Sequence, residues 1–81
     1  MKHFFANWKM YLDYRESVAV ATALAGKKIP KDITLGILPM YLAIPAVVDL
    51  FKTTSIAVGG QNCSWVPKGA YTGAVSAHLL K

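Results

Sequence analysis

Apolar and polar positions along the chain follow strand and helix periodicities in turn. Aromatic and apolar side chains dominate residues 3–11, where Asn7 and Lys9 stand two positions apart. Residues two apart lie on the same face of an extended strand, so the pattern predicts that both polar side chains point the same way at its end. An amide and an ammonium presented together predict a site for an anionic ligand.

A helix is predicted over residues 13–25. Asp13 can accept a backbone amide at the helix start while Glu16 reaches back, as in a capping box. Apolar residues then recur at helical spacing through an alanine-rich stretch. Gly26 can end this helix, and Pro30 disfavours a new one.

Two more strands and a second helix are predicted downstream. Residues 33–38 are a short apolar run without alternation, which is typical of a strand covered on both faces. Pro45 fits the first turn of a helix whose apolar face extends to Lys52. A third strand is predicted over residues 55–58. The order strand, helix, strand, helix, strand predicts an α/β fold with parallel pairing and right-handed crossovers.

The segment 61–75 is too long and too hydrophobic for an ordinary connection. Loops above roughly 12 residues in compact folds are usually functional or disordered, and the aromatic content here disfavours disorder. We therefore expect an ordered loop with an apolar tip that inserts into a partner, with a loop folded onto its own chain as the alternative. Ser76 is predicted to cap a helix that follows it.

The composition indicates that these residues belong to a larger hydrophobic core. The chain has 81 residues, of which 54% are hydrophobic, and its mean hydropathy is +0.37. That apolar share exceeds the roughly 45–50% typical of soluble domains. A chain this short supports only a marginal core of its own, so these values favour strands that are covered on both faces within a larger fold.

Charge and cysteine content restrict the partners. Nine basic and four acidic residues give a net charge of +5. The basic cluster at 27–31 lies in a connection without aromatic residues, which predicts a solvated turn and no nucleic-acid partner.

Cys63, the single cysteine, excludes an intrachain disulfide and is interpreted as a buried packing residue. The longest uncharged run, 33–48, is shorter than the roughly 20 residues of a membrane span. We expect a cytoplasmic protein without a membrane partner.

Three ordered motifs resemble the triosephosphate isomerase family. The run Asn-Trp-Lys-Met at 7–10 is similar to its first-strand motif, and Leu-Pro-Met-Tyr at 38–41 to its second strand. The runs Val-Gly-Gly-Gln-Asn-Cys at 58–63 and Gly-Ala-Tyr-Thr-Gly-Ala-Val-Ser at 69–76 are similar to its third strand and third loop. Two positions depart from the family pattern: Ala74, where an acidic residue is usual, and Tyr11, where a small polar residue is common.

The resemblance implies the N-terminal part of a (β/α)₈ TIM barrel, about three of eight units in a fold of about 250 residues. Residues 1–81 are then a partial domain with the order β1-α1-β2-α2-β3, loop 3 and the start of α3. The implied reaction interconverts dihydroxyacetone phosphate and glyceraldehyde 3-phosphate in glycolysis and gluconeogenesis, without a cofactor. The family's catalytic histidine and glutamate have no counterpart here, so the chain alone is expected to be inactive.

The resemblance also implies roles for individual residues. Lys9 is implied to be catalytic and to bind the triose phosphate substrate, and Asn7 to bind substrate beside it, with a surface lysine and a turn-forming asparagine as alternatives. Trp65, Tyr71 and Thr72 are implied to lie in the interface of a homodimer.

Other polar residues are interpreted without a catalytic role. Gln61 and Asn62 are predicted to tie the loop base to neighbouring backbone, and His3 and His78 to lie at a strand start and in the last helical turn. A second hypothesis of a different class is a non-catalytic truncated protein that associates with a barrel partner through loop 62–75.

Overall fold

Three parallel strands pair in the order in which they occur along the chain. The computed structural model describes all residues 1–81. Parallel pairing and the alternation of strands with helices confirm the predicted α/β class. The elements are β1 (Lys2–Asn7), α1 (Tyr14–Ala25), β2 (Ile33–Leu38), α2 (Ile44–Phe51), β3 (Ala57–Val58) and α3 (Ala77–Leu80).

The register places the carboxyl ends of the strands side by side. Asn7 at the end of β1 pairs with Leu38 at the end of β2, and Val58 at the end of β3 pairs with Ile37. The amide of Gly59 donates to the Ile37 carbonyl at 3.0 Å and extends this pairing by one residue. Residues that follow the three strands are therefore close together at one edge of the sheet.

Helix α1 begins and ends as its sequence predicts. Asp13 Oδ1 accepts from the Glu16 amide at 2.8 Å, and the Asp13 amide donates to Glu16 Oε1 at 3.1 Å, which completes the capping box. The amide of Gly26 donates to the Leu24 carbonyl at the other end. Local hydrogen bonding thus sets both ends of this helix.

The core lies between the sheet and the two longer helices. Ala21 of α1, Ile37 of β2, and Val47 and Phe51 of α2 are almost completely buried. Val47 and Phe51 are four residues apart and so share one face of α2. A single 3₁₀ turn, Tyr41–Ala43, was not predicted and leads directly into α2, where Pro45 occupies the first turn.

Strand β3 is shorter than predicted. It covers Ala57–Val58, whereas the apolar pattern predicted a start at residue 55. The amide of Ile56 donates to Thr54 Oγ1 at 3.1 Å, and the Thr54 amide donates to the Phe51 carbonyl at 2.9 Å. Because these groups complete a turn after α2, they are not available for pairing with β2.

The two faces of the sheet differ in how they are covered. Ala6 and its β2 partner Ile37 pack in the core, so the alternating positions Phe5 and Gly36 face away from the helices. The Phe5 side chain is 67% exposed. The expected covering of both faces is therefore absent within these 81 residues for β1, which is also an edge strand. None of the helices has the length and apolar character needed to cross a membrane.

Candidate active site

The chain turns sharply where β1 ends. Lys9 has a φ of 55°, in the left-handed region, and its amide donates to Asn7 Oδ1 at 2.8 Å. The expectation that Asn7 and Lys9 share one face of an extended strand is wrong, because the strand ends at Asn7. The asparagine side chain offers the backbone a local hydrogen bond that competes with continued strand pairing. The turn-forming role that was the alternative for Asn7 is thus present.

Lys9 is exposed, and its ammonium makes no hydrogen bond or ion pair within the chain. It borders an open depression of about 370 Å³ at the carboxyl ends of the strands. The depression is lined by Lys9, Met10, Tyr11, Leu12, Asp13, Glu16, Met40 and Gln61. An unpaired cation at such a depression can attract an anion.

Gln61 ties the site to the sheet. Its Nε2 donates to the Lys9 carbonyl at 2.8 Å and to the Leu38 carbonyl at 3.0 Å. The Leu38 carbonyl also accepts from the Trp8 amide at 3.1 Å. The prediction that Gln61 anchors the loop base on neighbouring backbone is confirmed, although the sequence did not predict that Lys9 is one of the residues it holds.

The next two residues complete the base of the loop. Asn62 Oδ1 accepts from the Cys63 amide at 2.9 Å, and the Tyr41 hydroxyl donates to the Asn62 carbonyl. Cys63 is exposed, so the interpretation of a buried thiol is wrong. Its position in an irregular segment beyond β3 explains the exposure, because no strand or helix of the chain packs over it.

The loop that follows is closed at its base and open at its tip. Ser64 donates its amide to the Val75 carbonyl at 2.7 Å, and its carbonyl accepts from the Ala77 amide at 3.2 Å. Trp65 is 92% exposed, and Tyr71 and Thr72 are also exposed. Ser76 Oγ accepts from the Leu79 amide at 3.0 Å and so caps α3 as predicted. The Trp65 side chain is therefore not folded against its own chain.

The acids beside Lys9 already have partners. Asp13 and Glu16 line the depression, but their carboxylates accept the capping-box amides of α1. His3 and His78 are exposed at the start of β1 and in α3, as predicted, and line no part of the depression. The chain brings no cluster of three histidine, cysteine or acidic side chains together for a metal ion. The Lys9 ammonium therefore shares the depression with two carboxylates, each of which uses one of its oxygens in the capping box.

Comparisons with known proteins agree on one family. A family model described as triosephosphate isomerase matches residues 2–81. Curated proteins named triosephosphate isomerase include one from Trichlorobacter lovleyi, 36% identical over 80 residues that cover 93% of this chain and 30% of the relative. The one from Acetivibrio thermocellus is 36% identical over 74 residues, covering 91% of this chain and 30% of the relative. The one from Thermodesulfovibrio yellowstonii is 37% identical over 87 residues, covering 99% and 33%. The chain thus spans about a third of their length.

Proposed function

Because the chain belongs to the triosephosphate isomerase family, we propose that it forms part of an enzyme that interconverts dihydroxyacetone phosphate and glyceraldehyde 3-phosphate. The observation that carries this proposal is the unpaired Lys9 ammonium at the carboxyl ends of three parallel strands. Barrels and open sheets of parallel strands bind their ligands at that end.

The proposed role of Lys9 is electrostatic. A triose phosphate carries an anionic phosphate, and negative charge grows on its carbonyl oxygen when a proton is removed from the neighbouring carbon. An ammonium fixed near both groups favours binding and stabilises the enediolate. The stabilisation is larger in a closed site than in water, because the surroundings screen the charge less.

Asn7 is proposed to bind substrate through its other amide atom. Its Oδ1 accepts from the Lys9 amide, whereas its Nδ2 makes no hydrogen bond within the chain. A side-chain amide has two N–H donors, so Nδ2 can donate to a substrate oxygen while Oδ1 keeps the turn in place. One asparagine thus serves both the turn and the ligand.

We propose that residues 1–81 are a partial barrel domain completed by further βα units, which supply the proton-transferring groups. The exposed Phe5 face and the unpaired edge of β1 support this, because parallel sheets normally have both faces covered. The exposed Trp65, Tyr71 and Thr72 support a homodimer formed through loop 62–75. Association alone, without catalysis, is the second candidate, and the same exposed tip favours it.

The test is a chimeric barrel in which residues 1–81 replace the matching segment of the Acetivibrio thermocellus relative. The chimera is expected to isomerise glyceraldehyde 3-phosphate in a coupled assay. Lys9→Met should lower kcat/KM by about 10²–10³-fold, the loss seen when one preorganised donor is removed from an active site. Lys52→Met is the matched control, since the Lys52 ammonium pairs with Asp49 at 3.1 Å on α2 and lines no part of the depression.

A folded chimera whose Lys9→Met variant keeps its full kcat/KM contradicts the proposed catalytic role. A chimera that dimerises without any turnover favours the association candidate instead.

A further inference from the structure

We infer that Gln61 is a positioning residue that holds the Lys9 ammonium at the site, an inference that rests on the proposed function. Gln61 lies 52 residues beyond Lys9 in the sequence, yet its side chain donates to the Lys9 carbonyl. Both N–H groups of Gln61 Nε2 donate to backbone carbonyls, so neither is free to donate to a substrate. Its effect on catalysis is therefore exerted through Lys9.

The Lys9 backbone needs external support. Its φ of 55° lies in a region that residues other than glycine rarely adopt, and the residue is exposed at the end of β1 without helix or strand hydrogen bonds. Side chains hold it on both sides: Asn7 Oδ1 accepts from its amide at 2.8 Å, and Gln61 Nε2 donates to its carbonyl at 2.8 Å. With both groups fixed, the direction in which the side chain leaves the backbone is fixed as well.

Gln61 is itself anchored to the sheet. The same Nε2 donates its second N–H to the Leu38 carbonyl at 3.0 Å, so one amide nitrogen joins the turn after β1 to the end of β2. A carboxylate cannot replace it, because both partners are acceptors. An apolar side chain of the same length fills the space but supports neither carbonyl.

Two glycines lead from β3 to Gln61, where the chain passes close to leucine side chains of β2 and α3. A Cβ on Gly59 would lie 3.0 Å from Leu38 Cδ2, and one on Gly60 would lie 2.6 Å from Leu80 Cδ2 and 3.2 Å from the Asn62 carbonyl oxygen. The pair of glycines therefore lets the chain leave β3 against β2 and under α3. The run Gly-Gly-Gln works as a unit, in which the glycines provide proximity and the glutamine provides the donor.

The experiment is a double-mutant cycle in the chimeric barrel, combining Gln61→Met with Lys9→Met. A misplaced catalytic group costs on the order of 10²-fold, so Gln61→Met is expected to lower kcat/KM by about that factor when Lys9 is present. When Lys9 is already methionine, the same change is expected to alter kcat/KM by less than about twofold. Lys52→Met, which removes a polar side chain that pairs with Asp49 and lines no part of the depression, is the control and should preserve kcat/KM.

The cycle separates positioning from general stabilisation. A Gln61 that only supports the fold produces the same fold-loss in both backgrounds, and that result overturns the inference, as does a Gln61→Met variant with unchanged kcat/KM. If Gln61→Met does not fold, the cycle is run with Gln61→Asn, which keeps the amide but is one methylene shorter and misses at least one carbonyl. Failure of the proposed function gives a different result, because Lys9→Met itself is then without effect.

Discussion

Ser17 is the residue whose burial is not matched by a hydrogen bond. Ser17 lies on α1, one turn before the core residue Ala21. It is completely buried, and its Oγ has no hydrogen-bond partner. A buried polar group without a partner loses its hydration and gains nothing in exchange.

Replacing Ser17 by alanine is expected to raise the free energy of unfolding by about 1–3 kcal/mol, the desolvation cost of an unsatisfied group. Thr22→Ala on the same helix is the matched control, because the Thr22 hydroxyl is exposed and donates to the Val18 carbonyl at 2.7 Å. Urea denaturation of the chimeric barrel measures both changes. A loss of stability in Ser17→Ala contradicts the explanation.

For single residues, the sequence predicts which chemical groups are at the candidate site better than it predicts their conformation. The roles assigned to Asn7 and Lys9 came from a motif, and the motif does not reveal that Lys9 adopts a left-handed conformation. The Lys9 carbonyl accepts from Gln61, which is 52 residues away, and a local motif does not reveal such a contact. Cys63 was misjudged for a similar reason, since its exposure depends on what packs over the segment beyond β3.

Loop 62–75 has aromatic side chains that are exposed at its tip. Two backbone hydrogen bonds through Ser64 close its base, whereas the Trp65 side chain is almost fully exposed. Exposed aromatic side chains on an ordered loop are typical of a protein interface.

Trp65→Ser in the chimeric barrel is expected to weaken the dimer by about 2 kcal/mol or more, as for an interface residue that dominates binding. Trp65→Phe keeps an aromatic anchor at the same position and should retain most of the affinity. Sedimentation equilibrium gives the dimer dissociation constant, and the isomerase assay shows whether activity falls with association. A monomeric chimera with full activity contradicts the proposed interface.

Elements bounded by local interactions could be predicted closely. The capping box of α1 and the Ser76 cap of α3 use residues within three positions, so their hydrogen bonds follow from spacing alone. The start of β3 could not be predicted, because Thr54 takes the Ile56 amide for a turn that the apolar pattern does not reveal. The 3₁₀ turn before α2 likewise has no cap or spacing signal.

The sheet of the molecule has one face that is covered by helices and one bare face. Phe5 lies over Gly36, and a Cβ on Gly36 would be 2.6 Å from the Phe5 ring, yet most of that ring remains in contact with solvent. Apolar surface next to an unpaired edge strand promotes association between copies.

The isolated 81-residue chain is therefore expected to self-associate and to bind a dye specific for apolar surface. Phe5→Lys should reduce both effects, because a charge on the bare face opposes its burial. Met10→Lys adds the same charge at a turn residue that is 98% exposed and should change neither. Sedimentation velocity over a range of concentrations provides the measurement. A monomer with a cooperative melt and a fixed near-ultraviolet dichroism signal contradicts the expectation.

The agreement between strand order and chain order has a consequence for biosynthesis. Each strand pairs with the one made just before it, so a polypeptide leaving the ribosome always has its hydrogen-bonding partner already outside the exit tunnel. Paired residues such as Lys2 and Ile33, or Ile37 and Val58, are separated by a single helix and its connections, so each pairing closes a loop over one helical unit. Translation and sheet growth can thus proceed in the same direction, with each new strand extending a template that is already in place.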